Sequence, residues 1–159
     1  MRGTTLKQSI ITILARLRPR KLIIVSSAPQ VRYPDFYGID MSNIGELIAF
    51  RAALELSDKK RVEEIYRRCI AQQTNPVENY VAEIYEPFSD FEIAQKIAEL
   101  VTPADINCPV EIIFQTREQL RQICRDHIGD WYFTGDYPTK EGMKLLYQSF
   151  INFGENYIS

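Results

Sequence analysis

Apolar residues recur at helical spacing along most of this chain and condense into a continuous run at two places. Leu6, Ile10, Ile13, Leu14 and Leu17 fall on one helix face, a stripe built for burial, and Thr5 with Gln8 reads as the capping box that starts it. Residues 21–26 then hold an unbroken apolar run, which predicts a parallel strand covered on both faces. The loop Ser26-Ser27-Ala28-Pro29 follows at the carboxyl end of that strand, where open α/β sheets place their ligands. Gln30 to Asp40 is rich in aromatic and turn residues and reads as irregular; Tyr33 precedes a proline and is pushed toward extended geometry.

Ser42 is the expected cap of a helix with Ile44, Leu47, Ile48 and Ala52 on its apolar face. Ser57 or Asp58 starts the next, with Val62, Ile65, Tyr66, Cys69 and Ile70. Asn75-Pro76, with Glu78 closing a box, predicts a helix through Val77, Tyr80, Val81 and Ile84. Ser89 and Glu92 form another box ahead of Ile93, Ile97 and Leu100. Residues 110–115 make the second strand, and Thr116 with Gln119 caps a helix carrying Leu120, Ile123 and Cys124. Asp130 to Thr134 reads as extended and aromatic, Gly135-Asp136 as a turn, and Thr139 as the cap of a last helix through Met143, Leu146, Tyr147 and Phe150.

Composition changes this picture little. The 159 residues are one domain's worth of chain, 45% hydrophobic and 25% charged, which is ordinary globular composition. No apolar run approaches the length needed to span a bilayer, and no signal peptide is evident, so the expectation is a cytoplasmic protein without a membrane partner. Charge is uneven: Arg2, Lys7, Arg16, Arg18, Arg20, Lys21 and Arg32 all precede the first acid. Most of these cluster near a helix C-terminus, where cations offset the dipole and stay solvated, and no nucleic-acid partner is expected. Arg67-Arg68 and Lys59-Lys60-Arg61 likewise read as a solvated face. Cys69, Cys108 and Cys124 are widely separated, which fits free buried thiols and neither a disulfide framework nor a zinc site.

Candidate chemistry sits at the amino end. The amides of Gly3, Thr4 and Thr5 stand at the positive end of the first helix with two hydroxyls beside them, an arrangement that can bind phosphate. The same residues also make an ordinary N-terminal cap, and local sequence leaves both readings open.

Several stretches, taken jointly, narrow this. Residues 2–5 (RGTT), 27–29 (SAP), 32–34 (RYP), 36–41 (FYGIDM), 46–49 (ELIA), 112–115 (IIFQ) and 132–139 (YFTGDYPT) resemble, in order, the glutamine phosphoribosylpyrophosphate amidotransferase family. The resemblance implies an α/β fold: part of a type I phosphoribosyltransferase-like parallel sheet flanked by helices. It implies that residues 1–159 are the C-terminal portion of that domain, with a helical insertion at about residues 51–88 where the match fails.

By that resemblance Arg2, Gly3, Thr4 and Thr5 would hold the 5′-phosphate of phosphoribosyl pyrophosphate or a nucleotide. Pro34 and Leu47 become candidates for lining an ammonia channel, although either could equally be a packing residue. Ser42 departs from the proline common at that point. The family's acidic ribose-binding pair would lie before Met1, and its glutaminase half with the N-terminal cysteine has no counterpart here. The chain is therefore expected to be inactive alone. Its parent would be a homo-oligomer that transfers glutamine-derived ammonia with Mg²⁺, in the first committed step of purine nucleotide biosynthesis. A non-catalytic nucleotide- or partner-binding module of the same fold, and a phosphoribosyltransferase without a glutaminase, remain as alternatives. Some family members hold a [4Fe–4S] cluster through four cysteines. Here the first such position reads Asp35, and residues 126–135 contain no cysteine, so no iron–sulfur cluster is expected.

Overall fold

Two five-residue strands, β1 (Leu22–Ser26) and β2 (Val110–Phe114), pair in parallel with Leu22 opposite Val110 and Ser26 opposite Phe114. The computed structural model describes residues 6–37, 41–126 and 128–158. A parallel pair needs a crossover. Here it is made by helices α2 (Ile48–Leu56), α3 (Lys59–Ala71) and α4 (Asp90–Val101). Helix α4 packs on β2 and on α2 through Ile93, Ile97 and Val101, and together with Ile48, Phe50, Ala52 and Ile112 these form the centre of the core. The fold is mixed α/β.

The long helix α7 (Lys140–Ile158) closes the other side of that core with Leu146, Tyr147, Phe150 and Ile151. Phe50 meets Phe150 and Phe153 edge-on, with centroids 6.0 and 5.2 Å apart. Gly154 lets α3 approach: a Cβ there would lie 2.3 Å from the Tyr66 ring. The capping boxes at Ser89/Glu92 and Thr116/Gln119 are both formed, and Asp58 caps α3 by accepting from the Lys60 amide.

Several expectations are corrected. The first helical segment is one π turn (Leu6–Ile10) continuing into α1 (Ile11–Ala15), and its predicted stripe from Ile10 to Leu17 is not buried. Ile11 faces the core, while Ile10, Ile13, Leu14 and Leu17 are exposed, Leu17 by 78%. A π turn shifts the phase of the side chains relative to a 3.6 repeat, and Ile11 takes the inward position. Strand β1 is covered on one face only: Leu22 and Ile24 pack inward, but Ile23 and Val25 are exposed, the latter by 70%. Asn43, not Ser42, caps the next turn, a 3₁₀ segment (Ile44–Glu46) that precedes α2; its side chain accepts from the Gly45 amide at 2.9 Å. The Ser42 carbonyl is taken instead by the Ser149 hydroxyl.

No helix starts at Asn75. The Tyr147 hydroxyl holds the Glu78 carbonyl at 2.7 Å, and Asn79 then caps a 3₁₀ segment (Tyr80–Ile84). Helix α5 (Arg117–Ile123) buries no side chain. Residues 131–134 are not extended but form the short helix α6 (Trp131–Thr134), ended by Gly135 at φ 77°. Here tertiary packing overrides the β preference of aromatic residues. Only Cys69 of the three free cysteines is buried.

Candidate functional site

At the carboxyl end of β1 the Ser26 hydroxyl donates to the Ala28 carbonyl at 2.9 Å and accepts from the Ala28 amide at 3.3 Å, which tightens the turn. The chain then enters a buried stretch, Pro29 and Gln30, that is fastened to the start of α4. Gln30 Nε2 donates to the Asp90 carbonyl at 2.7 Å. Arg32 donates to Gln30 Oε1 at 2.9 Å and pairs with the Asp90 carboxylate. Its guanidinium lies 5.2 Å from the centre of the Tyr85 ring, a cation–π contact. A small cavity of about 70 Å³ remains at the strand end, lined by residues that include Ser26, Ala28, Gln30 and Phe114.

Residues 31–37 run from there into an aromatic box. The Tyr132 carbonyl accepts from the amides of Arg32 and Tyr33 at 2.8 and 3.2 Å. The Tyr137 hydroxyl donates to the Pro34 carbonyl at 2.7 Å, and the Tyr85 hydroxyl donates to the Arg32 carbonyl. The rings of Tyr33 and Tyr85 are 5.4 Å apart, and Phe36 meets Trp131 and Tyr137 edge-on. Asp35, buried, accepts from the Tyr132 hydroxyl at 3.1 Å and from the Tyr37 amide at 3.2 Å. Burial pushes the hydroxyls of Tyr33, Tyr85 and Tyr137 well above the ordinary tyrosine pKa. They are hydrogen-bond donors at any physiological pH and not bases.

The predicted phosphate-binding residues Arg2, Gly3, Thr4 and Thr5, and the capping Thr5, lie outside the described residues. Pro34 belongs to the aromatic segment, whereas Leu47 is fully buried among core residues at the start of α2. Neither lines the cavity at the end of β1. Local sequence patterns carried no sign of three residues that build this region. Asp90 is 58 positions from Arg32, and Tyr85 and Asn79 lie within residues 51–88. Asn79 Nδ2 donates to the Gly135 carbonyl at 3.3 Å, so that segment supports the aromatic box directly.

What the arrangement offers is positioning, not an activated nucleophile. Burial pushes the Cys69 thiol up to about 12, with the Tyr147 hydroxyl as its hydrogen-bond neighbour. A thiol so protonated is a poor nucleophile. Among the described residues no three His, Cys, Asp or Glu side chains form a group that could hold a metal ion. No helix among them is long and apolar enough to cross a membrane.

Comparison with known proteins adds a family resemblance over part of the chain. It is 34% identical over 79 residues to the amidophosphoribosyltransferase of Haemophilus influenzae, covering 49% of this chain and 15% of that protein. It is 46% identical over 55 residues to the amidophosphoribosyltransferase of Pseudomonas aeruginosa, covering 35% and 11%. To that of Escherichia coli it is 45% identical over 49 residues, covering 31% and 10%. The chain is thus similar to amidophosphoribosyltransferases, and the matches span only about a tenth to a seventh of those relatives' length. No family model matches the chain. No solved structure matches it.

Proposed function

We propose that this chain is the C-terminal part of an amidophosphoribosyltransferase's phosphoribosyltransferase domain, of the type I phosphoribosyltransferase-like fold. The partial identity to several enzymes of that name carries the reading. The parallel pair β1–β2, with a loop at the carboxyl end of β1, is compatible with such a sheet. In the proposed parent, a cytoplasmic homo-oligomer, ammonia released from glutamine attacks C1 of phosphoribosyl pyrophosphate. The new C–N bond forms as the bond from C1 to the diphosphate oxygen breaks, and phosphoribosylamine results. This is the first step committed to purine nucleotides.

Within this reading Arg2, Gly3, Thr4 and Thr5 hold the 5′-phosphate through amides, hydroxyls and one guanidinium. The stapled segment from Gln30 to Pro34 and the aromatic box form the scaffold that follows the carboxyl end of β1. Pro34 is a candidate for the wall of an ammonia path, and Leu47 a second. The Mg²⁺ that the resemblance implies finds no ligand group of three among the described residues.

Calorimetric titration of the chain with ribose 5-phosphate, and separately with phosphoribosyl pyrophosphate and Mg²⁺, tests the reading. Saturable binding of both, weakened in a Thr4→Val, Thr5→Val double variant, is expected. Binding of neither, or binding indifferent to that double change, overturns the assignment of residues 2–5.

A further inference from the structure

The connection from α1 into β1 carries a strained arginine. Arg18 has φ 51° and is followed by Pro19. A left-handed residue at a helix end is ordinarily glycine or asparagine, and a residue ahead of proline is driven toward extended geometry. Both preferences oppose an arginine here. The Arg18 amide nevertheless bonds to the Ala15 carbonyl at 2.9 Å and closes the turn. Cys108 Sγ donates to the Pro19 carbonyl at 3.3 Å, which ties this connection to the one leading from α4 into β2. A glycine would close the same turn without strain; what arginine adds is a guanidinium.

That side chain borders a cavity of about 570 Å³ between the two connections, at the amino ends of β1 and β2. Both walls belong to this chain, one to residues 12–19 and the other to residues 105–108. Arg16 borders the cavity as well, and among the described residues neither guanidinium is engaged in an ion pair or hydrogen bond. Asn107 adds an amide, and Asp105 a carboxylate that is likewise in no ion pair among the described residues. The Thr12 hydroxyl already donates to the Lys7 carbonyl at 3.0 Å, so its oxygen is left to accept.

We propose that this cavity binds the phosphate monoester of a small hydroxylated carrier, at the end of the sheet away from the loop that follows β1. Two planar guanidinium forks match the oxygens of a terminal phosphate, and the Asn107 amide supplies a further donor. Free phosphate would fill only part of the space and would meet Asp105 as a like charge. The hydroxyls of a carrier turn that carboxylate and the Thr12 oxygen into acceptors with a donor each. Strained backbone is found at ligand clamps because the surrounding structure over-determines it, and here the turn at Arg18 is fixed from both sides by Ala15 and Cys108. The site is separate from residues 2–5 and does not depend on the role proposed for them.

Nuclear magnetic resonance titration of the full chain with glycerol 3-phosphate and with glucose 6-phosphate tests this and separates the carriers. Saturable shifts are expected at the Asn107 and Cys108 amides and at Nε of Arg16 and Arg18, with inorganic phosphate binding more weakly than the better ester. Arg18→Gly should weaken binding roughly tenfold or more, since a charge-assisted pair is lost, and should at the same time raise the urea midpoint by relieving the left-handed strain. Asp105→Asn should narrow the gap between inorganic phosphate and the esters. The Thr4→Val, Thr5→Val double variant should leave these shifts unchanged. No saturable shift at residues 16, 18, 107 and 108 with either ester overturns the proposal. So does an Arg18→Gly chain that binds as well as the wild type, and so does one whose urea midpoint falls.

Discussion

The Tyr132 hydroxyl donates to the buried carboxylate of Asp35 across 3.1 Å, joining two segments 97 residues apart. Among the described residues Asp35 has one further donor, the Tyr37 amide, and its own amide bonds to the Met41 carbonyl. This carboxylate anchors the irregular segment from Gln30 onward against α6. Tyr132→Phe removes a side-chain donor from a buried acceptor and should cost about 1–3 kcal/mol of unfolding free energy. Tyr37→Phe is the control, because Tyr37 contributes through its backbone and should cost nothing at this bond. Equal urea midpoints for wild type and Tyr132→Phe would remove Asp35 from its anchoring role.

The same pair bears on iron. Asp35 stands where the resembled family's cluster-bearing members place their first cysteine, and Tyr132 lies in the later stretch that lacks one. Each side chain is engaged with the other, and Cys69, Cys108 and Cys124 sit on α3, before β2 and after α5. Protein purified anaerobically is expected to be colourless. Broad absorption in the iron–sulfur charge-transfer region with stoichiometric iron and sulfide would contradict this.

Gly135 is the tightest backbone position in the aromatic box. Its φ of 77° is left-handed, and an added Cβ would fall 2.2 Å from Asn79 Nδ2 and 2.7 Å from the Tyr33 ring. Gly135→Ala therefore strains the turn that ends α6 and displaces Asn79, which both caps the 3₁₀ segment and holds the Gly135 carbonyl. The sum should be about 2–4 kcal/mol. Asn79→Ala, which loses the cap without the strain, should cost about 1 kcal/mol. A Gly135→Ala protein as stable as Asn79→Ala would show that the ring and amide yield freely.

Much of the scaffold was legible because it is encoded locally. The boxes at Ser89/Glu92 and Thr116/Gln119 and the Asp58 cap depend on neighbours in sequence and formed as their patterns predict, and both strands formed and paired in parallel, although β1 is covered on one face and not on two. The candidate site was less legible because its bonds are long-range. Nothing near Arg32 announces Asp90, and nothing near Gly135 announces Asn79. Residues 67–68 show the same limit. Arg68 reads as a solvated charge, yet it pairs with Glu83 and lies over the Tyr80 ring at 4.5 Å, tying α3 to the next segment. Periodicity also misjudged the first helix, because it reports an apolar face but not whether anything covers that face. Ile13 and Leu17 carry the right spacing and stand in solvent.

The buried hydroxyls and thiol predict an alkaline limit to stability. Unfolded cysteine ionises near about 8.5 and unfolded tyrosine near about 10. In the folded chain burial holds the Cys69 thiol up to about 12, and raises Tyr33, Tyr85, Tyr137 and Tyr147 well above their ordinary value. For a group whose folded pKa is raised, folded and unfolded states are equally protonated below the unfolded pKa, and the contribution is fully present there. As pH climbs past that value only the unfolded state releases its proton, so stability falls until the folded pKa is reached, by about 1.4 kcal/mol per pH unit for each group. Stability should therefore begin to decline above a pH of about 8.5, on account of Cys69, and more steeply above about 10 as the tyrosines join. Cys69→Ala should remove Cys69's share of the early decline and leave the steep one. Urea midpoints measured at intervals from neutral to strongly alkaline pH give both slopes. If Cys69→Ala leaves the profile between the two thresholds unchanged, the Cys69 thiol is not the protected group.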